Sequence, residues 1–201
     1  MAKQKIKISA GALILAAAAY YFCDVKTLLA LLIPIIVHEL GHIVALLMLG
    51  FSLRSFRAEL KGLCIVYSGS CGAVGHAMAA AAGPMAGLIY AAAASWGGDR
   101  LQSDWLCLSA GVSLILAVFN FLPALPLDGG RVFTILLSAF IGERRGTAVA
   151  DAVGFVCAAA LLAAGIWLML KGRGVALAVA ATWLLLYQES ASGIVKKREI
   201  L

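Results

Sequence analysis

An all-α polytopic membrane fold of about six transmembrane helices is what this sequence predicts, on three observations. Its 201 residues are 63% hydrophobic and only 13% charged, against about half apolar and a quarter charged in an average soluble domain. The apolar residues come in runs of about 20, the length needed to cross a bilayer core of about 30 Å. The basic residues lie in short segments between those runs, so the formal net charge of +6 reports membrane topology rather than a nucleic-acid surface. A soluble enzyme is excluded, and residues 1–201 are expected to form one membrane-embedded domain.

Taken in order, Lys3, Lys5 and Lys7 precede an alanine-rich run that ends in Tyr20-Tyr21-Phe22. An aromatic cluster belongs at a membrane interface and not at a small-residue cleavage site, so 7–23 reads as a first span in preference to a signal peptide. The second span is 28–51. Residues 51–75 change character: Ser52 to Leu60 alternates loosely, Lys61-Gly62 marks a turn, and Leu63 to Tyr67 favours strand. This predicts a hairpin-like connector, with an amphipathic surface segment as the alternative.

The third span, 76–96, is built mainly of Ala and Gly. Gly83 and Gly87 offer a smooth strip for a neighbouring helix, and Pro84 loosens the local backbone ladder. The fourth, 105–125, must break where Pro123, Pro126, Gly129 and Gly130 crowd together. Val132 to Ile141 is about 15 Å long as a helix, too short to cross. Spans 148–170 and 175–188 complete the set. Of the 16 basic residues, all but Lys26, Arg100, Lys171 and Arg173 fall on the side of the N-terminus, which predicts both termini in the cytoplasm of a multi-pass cell-membrane protein. The five cysteines contain no CxxC pair, so neither a disulfide framework nor a structural zinc site is indicated.

The second span carries His38-Glu39-Leu40-Gly41-His42 at its centre. At about 1.5 Å and 100° per residue, His38 and His42 stand roughly 6 Å apart along the axis on nearly one face, the spacing of two imidazoles on one metal ion. Glu39 is one step round, placed to act on a water bound at that metal. A catalytic zinc usually takes three protein ligands. Among ten acidic residues and three histidines, most lie in connectors, at span ends or in the tail. Asp128 sits instead in the broken segment, where a lone carboxylate in lipid would cost roughly 2.5–3.5 kcal/mol and a dication would remove that cost. His76, at the start of the third span, is the runner-up.

These residues resemble the site-2 protease family of intramembrane zinc metalloproteases. The resemblance rests on the His38 to His42 box, on Ala82-Gly83-Pro84, and above all on Asn120-Phe121-Leu122-Pro123-Ala124-Leu125-Pro126-Leu127-Asp128-Gly129-Gly130-Arg131, about 80 residues after the box. In plan the chain is similar to the compact bacterial and archaeal members, with no CBS domain and no PDZ insertion. Members often carry Asn after the Gly-Pro pair of the third span, where this chain has Gly87.

The resemblance implies one Zn²⁺ held by His38, His42 and Asp128, with Glu39 as general base and then acid. It also implies Asn120, Gly83 and Pro84 as candidates for substrate or oxyanion contact. The substrate would be a membrane-anchored protein, such as a transcription or sigma factor or its anchor, with a regulatory membrane partner and no nucleic acid. A strand edge within 53–67 is expected to pair with the unwound substrate. The competing reading is a non-proteolytic zinc-binding membrane protein or transporter. A transporter would spread ionisable groups along a path and would not need Glu39.

Overall fold

Helix α1 (Val25–Met48) begins where Asp24 caps it. One carboxylate oxygen accepts the backbone N–H groups of Lys26 (3.1 Å) and Thr27 (3.2 Å), and the Thr27 hydroxyl donates to the other at 2.5 Å. The cap satisfies orphan donors of the first turn and starts the helix three residues before the expected position 28. The computed structural model describes residues 5–8, 20–21, 23–59, 62–68 and 72–198. They divide into two units, Met1–Val118 and Phe119–Leu201.

In the first unit the chain leaves α1 through Gly50, which has a positive φ of 79°. Phe51 then folds back, its N–H donating to the Leu46 carbonyl at 2.9 Å and its ring packing with Leu46 and Ala79. Strands β2 (Ser52–Glu59) and β3 (Gly62–Ser68) pair antiparallel, from Ser52↔Ser68 to Glu59↔Gly62. On the other edge of β2 lies β1 (Lys5–Ile8), parallel to it and in register from Lys5↔Ser55 to Ile8↔Ala58. The sheet order is therefore β1-β2-β3. Lys7 and Ile8, expected to open the first span, are strand residues, because the alternating Lys5-Ile6-Lys7-Ile8 finds a partner edge about 50 residues away. Apart from Tyr20, Tyr21 and Cys23, the rest of that expected span lies outside the described residues.

Helix α2 (Ala73–Leu101) is longer than the expected 76–96. It runs through Gly97 and Gly98 and stops only at Gln102, which adopts a left-handed conformation. Glycines inside a membrane helix are tolerated where a neighbour packs on them, and Gly98 is such a site: a Cβ there would stand 2.6 Å from the Cys107 sulfur. Cys107 belongs to α3 (Asp104–Asn120). Two side-chain contacts reinforce the α2/α3 pair: the buried Ser113 hydroxyl donates to the Gly87 carbonyl at 2.8 Å, and Tyr90 and Ser109 share a hydrogen bond of 2.7 Å. The Trp105 indole N–H donates to the Lys26 carbonyl at 2.7 Å, tying the start of α3 to the start of α1.

Entering the second unit, the helix ends at Asn120, five residues short of the expected 125. Pro123 and Pro126 supply no N–H to carry it on. A turn over 121–127 follows, with a cis Leu125–Pro126 bond and short hydrogen bonds from Ala124 to Leu122 (2.8 Å) and from Leu127 to Ala124 (3.0 Å). The chain then re-enters helix as α4 (Asp128–Ile141), bends at Gly142 (φ 86°), and continues as α5 (Glu143–Leu170) and α6 (Ala176–Arg198). Leu127, Ala158 and Leu184 form its buried core, with Phe119, Leu122, Leu161 and Leu185 around them.

Helices α1, α2 and α5 are long and apolar enough to cross a membrane, while α3 and the Ala176–Gln188 part of α6 are shorter apolar helices. Their burial is inverted relative to a soluble bundle. In α1 the buried positions are Ala30, Pro34, His38 and Leu46, while Ile36, Val44, Leu47 and Met48 are exposed. Bulky apolar groups outward and a histidine inward is the pattern lipid imposes. This is a membrane protein.

Candidate metal centre

The two histidines of α1 meet as their spacing predicts. Nε2 of His38 and Nε2 of His42 are 3.3 Å apart, with the rings 4.9 Å between centroids and nearly perpendicular at 80°. Zinc bound by imidazole at about 2.0–2.1 Å with tetrahedral angles separates two ligand nitrogens by about 3.3 Å. The pair is therefore set for one ion without adjustment, and His38 is 6% exposed.

Helix α2 fixes how His42 presents itself. Its Nδ1 lies 2.8 Å from the Ala79 carbonyl oxygen. A carbonyl only accepts, so Nδ1 carries the proton and Nε2 keeps its lone pair for a metal. Next to that contact sits Gly83: a Cβ on it would overlap the His42 ring, 2.5 Å from Cε1, 2.7 Å from Cδ2 and closer still to Nε2. Gly41 does the same on the other helix, where a Cβ would come 2.6 Å from the Ala82 carbonyl oxygen and 2.7 Å from the Ala86 Cβ. The two glycines let α1 and α2 approach closely enough for main chain to reach imidazole. Pro84 is fully buried beside Gly83. Proline removes an intrahelical donor and splays the preceding turn, the turn from which Ala79 reaches His42.

Glu39 follows His38 on α1 and is half-buried. Asp128 is the first residue of α4, at 7% exposure, with the Arg131 guanidinium 3.9 Å from its carboxylate. Its position is set by backbone packing. A Cβ on Gly129 would overlap the carbonyl of Phe121 and come 2.7 Å from that of Leu122, and one on Gly130 would lie 2.6 Å from both the Ala124 carbonyl oxygen and the Leu125 nitrogen. The first turn of α4 thus lies directly on the main chain of the 121–127 turn. From the opposite side Gly154 of α5 admits the same turn, its absent Cβ 3.2 Å from the Pro123 carbonyl oxygen.

Among the described residues, the group of donors suited to a metal ion is His38, His42 and Asp128, two imidazoles and one carboxylate. That donor set is one used by catalytic zinc. His76 is not in it and instead packs its ring on Phe51 at 5.2 Å. Asn120 is the half-buried last residue of α3. Gly87 faces α3, where a Cβ would meet Ala117 at 3.4 Å and the Ser113 hydroxyl at 3.6 Å. Sequence reasoning missed the Ala79 carbonyl, since a main-chain acceptor leaves no trace in residue identity.

These features define a membrane-embedded H-E-x-x-H protein with a zinc-type donor set. Known proteins share parts of this description. Residues 100–164 match the model of Peptidase family M50, and this stretch includes Asp128 but not the histidines. The chain is 30% identical over 135 residues to sll0528 of Synechocystis sp., named as a candidate zinc metalloprotease, covering 64% of this chain and 36% of that one. It is 31% identical over 147 residues to Rip3 of Mycobacterium tuberculosis, named in the same terms, covering 69% and 36%. The chain spans about a third of the length of these relatives. In fold it is similar to the site-2 protease from Methanocaldococcus jannaschii, with a TM-score of 0.66 over 92% of this chain and 89% of that one at 19% identity. The chain thus resembles M50 peptidases in sequence over residues 100–164 and the site-2 protease in fold.

Proposed function

We propose that this protein is an intramembrane zinc endopeptidase that cuts membrane-anchored proteins within or near their transmembrane segments. The observation that carries the reading is the pair of imidazole nitrogens 3.3 Å apart on an apolar helix, with Glu39 next in line. His38, His42 and Asp128 would hold one zinc ion, which would supply Lewis-acid chemistry to a water and to the peptide carbonyl. Glu39 takes the proton of the attacking water and delivers it to the leaving amide nitrogen. Ala79 holds His42 in the tautomer whose Nε2 carries the lone pair. Asn120 hydrogen-bonds the substrate main chain or the developing oxyanion. Gly83 and Pro84 serve the site through His42, and this support outweighs the expected contact with substrate.

In this reading residues 1–201 act as one membrane-embedded catalytic domain with six spans, α3 and α6 completing the set with the N-terminal run. Both termini face the cytoplasm of the cell membrane, as the basic segments direct. Two aromatic–cation pairs support the assignment of the opposite boundary: Arg100 lies over Trp96 at 5.5 Å and Lys171 over Trp167 at 5.8 Å, each at the end of a spanning helix. The substrate is a single-span protein such as a transcription or sigma factor or its anchor, admitted under the control of a membrane partner. Its unwound backbone adds to the edge of β3, because β1 already covers the other edge of β2.

The decisive experiment is Glu39→Gln in the full chain. Zinc content should stay at one ion per chain while cleavage of a single-span reporter stops. Continued cleavage at the wild-type rate refutes the protease reading and leaves a zinc-binding protein of another kind.

A further inference from the structure

Residue Gln188 lies near the end of the apolar part of α6. Both polar atoms of its side chain are buried, and neither has a hydrogen-bond partner among the described residues. A primary amide withdrawn from water and left unmet is costly, and in lipid no solvent is at hand to relieve it. Its surroundings indicate what it serves. The amide nitrogen stands 2.9 Å from the point where a Cβ on Gly154 would be, and around the same point lie the Pro123 carbonyl oxygen at 3.2 Å and the Ala124 Cα at 3.3 Å. Gln188 and Pro123 thus turn polar atoms toward one narrow niche at Gly154, too tight to admit a Cβ without a shift.

The 121–127 turn needs such a support. Its two prolines contribute no N–H, so fewer main-chain bonds brace it. Its other face carries the first turn of α4 on Gly129 and Gly130, and that turn begins with Asp128. A displacement of the Pro123–Ala124 main chain is therefore passed to the carboxylate.

We propose that Gln188 is a positioning residue: a small rotation of its buried amide brings the nitrogen to the Pro123 carbonyl beside Gly154, and the bond so made fixes the 121–127 turn and the Asp128 carboxylate that α4 presents. The inference rests on the reading of Asp128 as a metal ligand. It adds α6 to the parts that determine metal geometry, although among the described residues α6 supplies no donor.

The test uses the full chain in detergent with cobalt(II) in place of zinc, since the ligand-field spectrum of cobalt reports how its ligands are arranged. Gln188→Met keeps the side-chain volume and removes the donor. It should shift the cobalt spectrum and speed metal loss to a chelator by about 10-fold, the lower range for loss of a residue that orients a ligand. Gly154→Ala, which puts a methyl group in the niche, should shift the spectrum in the same way and provides the test independently if the first variant does not fold. A variant with lowered thermal stability but the wild-type spectrum and release rate assigns Gln188 to packing alone and overturns the proposal. Asp128→Asn is the control: if it leaves the cobalt spectrum unchanged, the ligand assignment itself is wrong, whatever Gln188 does.

Discussion

A methyl group on Gly83 would occupy the space that the imidazole of His42 fills. The metal-facing nitrogen of α1 is thus shaped by an absent side chain on α2. Gly83→Ala should lower zinc affinity roughly 10- to 100-fold, by pushing the ring off the Ala79 carbonyl and away from His38. Gly87→Ala, four residues on, adds a methyl group at ordinary contact distance from Ala117 and should leave zinc in place. Metal content after dialysis against a graded chelator distinguishes the two. Equal retention by both variants would remove Gly83 from the site.

The contact of Gly130 with the main chain of Ala124 and Leu125 makes a second prediction. Gly130→Ala overlaps backbone that cannot rotate away, so stability should fall by about 1–3 kcal/mol, the usual cost of overpacking. Zinc retention should fall with it, because Asp128 moves. Thermal unfolding in detergent together with metal content checks this, and an unshifted midpoint would show that the turn can yield.

Asp24 gives a pH dependence whose sign is fixed. The Thr27 hydroxyl, then the backbone N–H groups of Thr27 and Lys26, hold its carboxyl below the ordinary value of 3.8. A carboxyl lowered by folding contributes stability in full above its unfolded pKa and loses it as pH falls through the folded one. Asp24→Ala should therefore be less stable than wild type near neutral pH, and the gap should close on acidification below 3.8. A gap of constant size across that window would exclude the cap as its source.

The sheet provides a fourth. Proline at Leu63 or Ile65 removes an N–H from β3, and cleavage of a membrane-anchored reporter should slow several-fold with zinc content unchanged. Processing at the wild-type rate by both variants would rule out strand addition there.

What was legible in the sequence follows from the range of the interactions involved. The histidine face of α1 could be read because helical periodicity alone puts positions 38 and 42 together, and the break after Asn120 because proline carries its effect with it. Strand β1 was not legible: Lys5 to Ile8 resembles the basic flank of a membrane helix until its partner at Ser55 to Ala58 is known. Gly83 and Gly87 looked like one smooth strip. In the fold they serve different neighbours, an imidazole and a serine-bearing helix, a difference decided by tertiary packing. Gln188 gave no sign at all, since a glutamine near the end of an apolar run is ordinary until its amide is found enclosed.

The bond between His42 and the Ala79 carbonyl also bears on how ready the imidazole is for a metal. An isolated α1 would exchange His42 between its two tautomers, and the Ala79 carbonyl favours the one whose Nε2 carries the lone pair on the His38 side. Pairing of α1 with α2 thereby presets His42 for an ion. Because the selecting atom belongs to the main chain, a single side-chain replacement at residue 79 does not delete it.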